Sequence, residues 1–258
     1  VVSPHPSSGR DTVELSVVIP AHNSGLVLET TVAAFATRLA GRAAEIIVVE
    51  NGSTDDTAVI GKRLERDWDD PSVELRVLTS GKGMGNALKA GVAQSRGEYV
   101  LLTADDLPFG FDDLDGADAV LDRTGSMPVL LIGSKAHAQS EVDRGILRGV
   151  MTFGFTTLRG LVLGTRTRDP QGTFLVEGSF LRSLCASLVE PGFLFTTELD
   201  YAAELAGIRP LELPVKLSES HREQPSRVAV ADVLAMARGL LVLRRRKDEL
   251  KAAALAGL

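Results

Sequence analysis

Two adjacent carboxylates, Asp105 and Asp106, close an apolar run in the stretch LLTADDLPFG at residues 101–110. Side by side beyond a buried strand, they repel each other unless a cation or hydrogen-bond donors compensate. A hard cation such as Mg2+ takes one or two carboxylates together with substrate phosphates, and the pair suits that chemistry. The plain alternative is polar punctuation where a strand ends. Glu50 poses a similar choice: a turn residue, or an acceptor for a base or ribose hydroxyl. Lys82 lies in the loop GKGMGNA, which departs from the dinucleotide fingerprint because Asn86 stands where the third glycine belongs. That loop reads as a glycine-rich turn, or as a cradle in which Lys82 and backbone N–H groups hold a phosphate or nucleotide edge.

Charge is unevenly spread around these candidates. Residues 104–118 carry six acids and no base, and Asp112, Asp113, Asp115 and Asp118 among them read as a solvated loop face. Residues 144–168 carry five arginines and no acid: Arg144, Arg148, Arg159, Arg166 and Arg168. They read as a solvated helix face. Interleaved with Phe153, Phe155, Leu158, Leu161 and Leu163, they also suit a phosphate clamp or an amphipathic element at a membrane surface. A basic tail follows at Arg244, Arg245, Arg246 and Lys247. The four histidines show no metal-ligand spacing.

The elements that must position these groups alternate. LSVVIPAHN (15–23) and EIIVVENGSTDDT (45–57) begin as buried β-branched strands and end in turns. Asn23 or Ser24 can cap the helix that follows the first, and Ser53 or Thr54 the helix that follows the second, with Asp55 and Asp56 in its first turn. VELRVLTS (73–80) and EYVLLTAD (98–105) read as third and fourth strands, with a helix between them over 81–97. This β–α alternation with short links predicts an α/β fold: a parallel, doubly wound sheet with helices on both faces. Ligands bind such sheets beyond the carboxyl ends of the strands. Ala21–Asn23, Glu50–Asn51, Ser80–Lys82 and Asp105–Asp106 all fall there. The second half is less regular: strands at 129–135 and 211–217, mixed helix over 144–163, and one strong helix over 228–250 running into the basic tail.

Composition bounds the possibilities. The 258 residues fit one large domain, expected at 13–258 after a loose arm at 1–12, with a second half that builds a pocket. The net charge of −6 argues against a nucleic-acid partner. A single cysteine, Cys185, excludes an internal disulfide and suits a reducing compartment. No run reaches the ~20 apolar residues of a membrane span, and no secretory pattern opens the chain. The expected location is cytoplasmic, with peripheral contact at the cytoplasmic membrane face through 149–163 or the basic tail.

LSVVIPAHN, IIVVENGSTDDT and GKGMGNALKAGVAQSRGEYVLLTADD resemble, in order, the N-terminal half of family 2 glycosyltransferases of the GT-A fold. GSKAH (133–137), RDPQGTF (168–174), GFLFTTELDYAAELAGI (192–208) and LPVKLSE (213–219) resemble dolichyl- and polyprenyl-phosphate glycosyltransferases, the β-glucosyltransferase type above the mannosyltransferase type. The likeness covers roughly residues 15–245 and implies a nucleotide-binding half (13–110) and an acceptor-binding half (111–250). It implies a GT-A (Rossmann-like), mostly parallel sheet and an inverting transfer of a hexose to a polyprenyl or dolichyl phosphate. The implied donor is a nucleotide-diphosphate sugar, UDP-glucose before GDP-mannose, with Mg2+ or Mn2+ as cofactor.

Carried over residue by residue, the likeness implies that Pro20, His22 and Glu50 line the nucleotide and that Lys82 faces its base or phosphates. Asp105 matches the second acid of the family's Asp-x-Asp metal motif, with Asp106 beside it. Asp169 and Gln171 match the D-x-Q segment near the sugar, Glu198 the acid of F-D-V-E, and Ser226 and Arg227 a G-S-K element near the diphosphate. Arg144 and Arg148, with Lys135, are the candidates to hold an acceptor phosphate. Thr103 replaces the first metal-motif acid, Gly172 and Thr173 replace Cys/Ser-Gly, and Thr196 replaces the Asp of F-D-V-E. Two alternatives stand beside this reading: a family 2 enzyme with a soluble acceptor, using Asp106 or Glu198 as base, and a non-catalytic nucleotide-sugar-binding protein.

Overall fold

Among the described residues, seven strands form one sheet in the order β3-β2-β1-β4-β6-β5-β7. They are β1 Leu15–Ala21, β2 Ala44–Glu50, β3 Val73–Thr79, β4 Tyr99–Leu102, β5 Leu130–Ser134, β6 Thr173–Glu177 and β7 Leu211–Pro214. The computed structural model describes residues 13–140, 145–217 and 230–258; within these, the side chains of 145–153 and 230–235 are not described. The helices are α1 Leu28–Leu39, α2 Thr57–Arg66, α3 Met84–Gln94, α4 Asp112–Thr124, α5 Gly145–Leu163, α6 Gly178–Cys185, α7 Phe195–Leu205, α8 Val230–Arg245 and α9 Lys247–Ala256.

β1 pairs in parallel with β2 and β4, β2 with β3, and β5 with β7. Among the described strands, β6 alone runs antiparallel, to both β4 and β5. The sheet is therefore mostly parallel, as the alternation predicts. β6 itself is a strand that sequence pattern does not reveal, because TFLVE is short and lies inside a motif-like segment. Its reversal has a positional consequence. Leu102 pairs with Phe174 and Gly133 with Thr173, so the start of β6 lies at the edge where β1, β2, β4 and β5 end.

Side chains alternate across the pleat and build a core on each face. Val18, Val49, Val100, Leu102, Phe174 and Val176 pack with α3, α6, α7 and α9 through Leu88, Phe180, Leu199 and Leu250. Val17, Ile19, Val48, Leu101 and Leu175 pack with α1 and α4 through Val32, Phe35 and Leu114.

Three local expectations change. The expected caps are absent: Val27 precedes α1 and Asp56 precedes α2, neither with a side-chain cap bond, because Asn23, Ser24 and Ser53 spend their polar atoms between loops. The acids at 112–118 form the first turns of α4 rather than a solvated loop. Asp115 and Asp118 pair with Arg38, Asp118 also with Arg42, and Asp113 turns inward, where burial pushes its carboxyl above the usual range. The long C-terminal helix breaks at Arg246 into α8 and α9.

Among the helical glycines that face the sheet, Gly91 of α3 makes the closest approach. A Cβ there would lie 2.3 Å from Cγ1 of Val18 and 3.2 Å from Cγ2 of Val49. Gly91→Ala should therefore lower stability by about 1–3 kcal/mol through overpacking, despite alanine's better helix propensity. An unchanged denaturant midpoint would contradict this packing.

Candidate active site at the strand ends

β1 leaves the sheet at Ala21, and Asn23 adopts φ 54°, a left-handed conformation that Asn tolerates. The turn is laced to the one after β2. Asn23 N–H donates to Ser53 Oγ at 3.1 Å, and its Oδ1 accepts from Thr54 N–H at 2.8 Å. Gly25 N–H donates to Asp55 Oδ2 at 3.0 Å. Glu50, buried at the end of β2, accepts from Ser53 N–H at 2.5 Å, and Asn51 Nδ2 donates to Ala21 O at 3.2 Å. Pro20 is held in register opposite Val49. His22 Nδ1 is buried without a hydrogen-bond partner, an atom that a ligand at this edge would satisfy. Lys82 is exposed beside Gly52, where an added Cβ would sit 3.4 Å from its own Cβ.

The acidic pair joins the same edge through β1. Asp105 is buried; its Oδ2 accepts from Ser24 Oγ and its carbonyl from Thr31 Oγ1 at 2.7 Å. Asp106 is half-buried, and Leu107 next to it holds φ 48°, uncommon for a branched residue and a mark of a constrained loop. Among the described residues, no group of three or more His, Cys, Asp or Glu side chains gathers to hold a metal ion.

A second cluster stands where β5 ends and β6 begins. Asp169 is buried; its Oδ2 accepts from Lys135 N–H at 2.8 Å and lies 3.5 Å from Lys135 Nζ. Lys135 Nζ donates to Gln171 O at 2.7 Å and sits 5.3 Å from the ring centroid of Phe109, a cation–π contact. Phe109 belongs to the loop that carries Asp105 and Asp106, so this lysine ties the two clusters together. Gln171 Nε2 donates to Phe193 O at 2.8 Å.

Glu198, matched to the acid of F-D-V-E, lies on α7. It is fully buried on α7, where Oε2 accepts from Val189 N–H and Glu190 N–H, each at 2.9 Å, and Oε1 accepts from Arg246. Arg144, Ser226 and Arg227 lie outside the described residues, and the side chain of Arg148 is likewise not described.

Sequence reasoning missed Ser24, Phe109, Arg246 and the buried pair Arg159–Asp200. Arg159 Nη1 lies 3.5 Å from Asp200 Oδ2, Arg159 donates to Thr167 O, and Thr167 Oγ1 donates to Asp200 Oδ1 at 2.6 Å. One signal was available: Arg159 interrupts an otherwise apolar stretch of α5. Burial drives both groups toward neutrality. It lowers the Arg159 guanidinium against the pull of Asp200, and it pushes the Asp200 carboxyl up to about 7. Among the described residues, no helix is long and apolar enough to cross a membrane.

Residues 16–126 match the model of Glycosyl transferase family 2. The chain carries a family 2 glycosyltransferase domain. The match runs from β1 to just past α4 and so includes the ends of β1, β2, β3 and β4. Whole-chain relatives extend the likeness past it. Over 254 residues this glycosyltransferase is 28% identical to the dolichyl-phosphate beta-glucosyltransferase of Saccharomyces cerevisiae, spanning 91% of this chain and 75% of that protein. Over 248 residues it is 27% identical to the dolichyl-phosphate beta-glucosyltransferase of Homo sapiens, spanning 91% of this chain and 76% of that one. Among solved structures, glucosyl-3-phosphoglycerate synthase from Mycobacterium tuberculosis matches with a TM-score of 0.63 at 20% identity, covering 93% of this chain and 80% of that one. That structure is a complex with Mn2+, UDP and glucosyl-3-phosphoglycerate. The likeness is one of fold, and the fold is GT-A.

Asp200 gives this glycosyltransferase a measurable pH signature. Unfolded, the group titrates near ~4; folded, near about 7. Between those values the folded chain holds a proton that the unfolded chain has released, so stability falls as pH rises through the window. One such group contributes a slope of at most about 1.4 kcal/mol per pH unit. Asp200→Asn should flatten the fall in unfolding free energy between pH 4 and 7. An equally steep profile would place the proton elsewhere, with Asp113 and Glu190, both also raised by burial, the first to examine.

Proposed function

We propose that this glycosyltransferase moves a hexose, glucose from UDP-glucose in the first instance, onto a polyprenyl phosphate with inversion at the anomeric carbon. The observation that carries the reading is the likeness, over nine-tenths of the chain, to proteins named dolichyl-phosphate beta-glucosyltransferases. In this reading Pro20, His22, Glu50 and Lys82 line the nucleotide. Asp169 and Gln171 face the sugar. Lys135 holds the acceptor phosphate together with Arg144 and Arg148, and Ser226 and Arg227 lie near the diphosphate.

The donor set at the acidic loop fits Mg2+ or Mn2+. It offers hard carboxylate oxygens and few of them, as expected when substrate phosphates complete the shell. Asp105, with Asp106, would hold the ion; Thr103, in place of a further acid, leaves the remaining positions to the donor diphosphate. When bound, such an ion neutralises charge on the departing nucleoside diphosphate. Ser24 and Thr31 hold Asp105 in place from the β1 side.

The nature of the acceptor determines what else the protein must supply. A phosphate monoester has a second pKa near ~6 and is already largely ionised at neutral pH. It needs positioning opposite the leaving group rather than a base. A hydroxyl acceptor would need a carboxylate to take its proton. Glu198, one candidate for that task, is fully enclosed and engaged by two backbone N–H groups and Arg246, which supports the phosphate acceptor.

The test is transfer of radiolabel from UDP-glucose to polyprenyl phosphate with Mg2+ or Mn2+, read as butanol-extractable counts. Label should appear, vanish with a chelator, and fall about 100-fold or more in Asp105→Ala, the scale of losing a main electrostatic stabiliser. GDP-mannose in parallel decides the donor. Label that enters only a water-soluble phosphorylated acceptor would overturn the lipid reading. Donor binding with no transfer to any acceptor would overturn catalysis itself.

A further inference from the structure

The segment 187–193, between α6 and α7, is hydrogen-bonded through its backbone to several other elements. Ser187 O accepts from Arg246 Nη2 at 2.6 Å, and Leu188 O accepts from Lys89 Nζ at 2.6 Å. Val189 N–H and Glu190 N–H both donate to Glu198. Pro191 O accepts from Asn86 N–H at 3.1 Å, and Phe193 O accepts from Gln171 Nε2 at 2.8 Å. This one strip therefore leans on the start of α3, where the glycine loop enters it, and on the Gln171 cluster at the same time.

The contact with the glycine loop is backbone against backbone. A Cβ on Gly83 would lie 2.3 Å from Pro191 O, and one on Gly85 would lie 2.2 Å from Glu190 O. The two glycines thus have a packing reason independent of any phosphate. Their partner strip needs its own anchor, which is the Glu198 carboxylate. Glu198 is fully buried, and its compensating charge comes from Arg246 at the α8–α9 break. Arg246 also bonds Glu249 through Nε at 3.1 Å and Nη2 at 2.7 Å, so its guanidinium is held from both sides.

We infer that Arg246 and Glu198 form a positioning pair for the donor side of the active site. They set the strip 189–191 against the loop carrying Lys82, and through Phe193 they set the amide of Gln171. Removing the guanidinium leaves a buried carboxylate without its counter-charge, and the two N–H groups lose a stable acceptor. The strip then loosens from Gly83 and Asn86, and Lys82 and Gln171 are displaced together. Neither Arg246 nor Glu198 is required to touch substrate. The functional half of this inference rests on the donor site proposed above; the structural half does not.

Hydrogen exchange by NMR, paired with donor kinetics, tests both halves. In Arg246→Ala and Glu198→Gln, exchange at the amides of Val189, Glu190 and Asn86 should quicken together by about tenfold or more, while β1 and β2 amides keep their protection, as local opening requires. KM for UDP-glucose should rise with them, by about tenfold, and Arg246→Lys should recover part of both effects. Glu249→Ala, which removes only the exposed partner, should leave both near wild type. If Arg246→Ala does not fold, Arg246→Lys against wild type decides. Faster exchange at 189–190 with Asn86 unchanged would overturn the coupling, as would a uniform loss of protection across the sheet. If the variants show the exchange pattern but wild type transfers nothing from UDP-glucose, the donor reading is overturned and the structural half of the inference stands.

Discussion

The ladder between β4 and β6 is antiparallel, with Leu102 opposite Phe174 and Tyr99 opposite Glu177. Everything at the candidate site depends on that reversal. Parallel strands present only their carboxyl ends to the ligand edge, and each brings the polar groups of one following turn. A reversed strand presents the residues that precede it. Asp169 and Gln171 reach the edge in this way, and Lys135 at the end of β5 meets them there. With β6 flipped they would sit at the opposite edge, away from the turns that follow β1, β2 and β4.

The helix behind this edge carries an unusual charge load. α7 is buried from Phe195 to Ala203, yet it contains Glu198 and Asp200. Each carboxylate draws in an arginine from a different helix: Arg246 from the α8–α9 break and Arg159 from α5. Removing a partner from such a pair costs several kcal/mol, whereas a well-packed apolar replacement often costs little. What the pairs provide here is location. One holds the strip 187–193; the other, through Thr167, holds the approach to Asp169. Two arginines that look like surface or membrane-facing charge in the sequence are thus internal fittings of the loops at the candidate site.

Much of the first half was legible because its signals are local. β-branched runs at 15–21, 44–50 and 73–79 mark buried strands, and polar residues just beyond them mark the edge where ligands bind. The resemblance to family 2 glycosyltransferases rests on those same turns. The local details that failed did so for one reason. Asn23, Ser24 and Ser53 are good caps in isolation, but each found a partner across the fold, and a tertiary hydrogen bond displaced the local one.

By itself, the sequence determined the alternation of strands and helices, the identity of the polar strand ends and the placement of Asp105, Glu50 and Lys82 among them. Hydrophobic period and turn chemistry act over a few residues, so they can be read along the chain. Only the tertiary structure decided the direction of β6, the inward turn of Arg159 and Arg246, and the burial of Glu198. Ser24 meets Asp105 across 81 residues and Glu198 meets Arg246 across 48. A buried charge takes whatever counter-charge the packed helices bring within reach, and no local pattern specifies that partner.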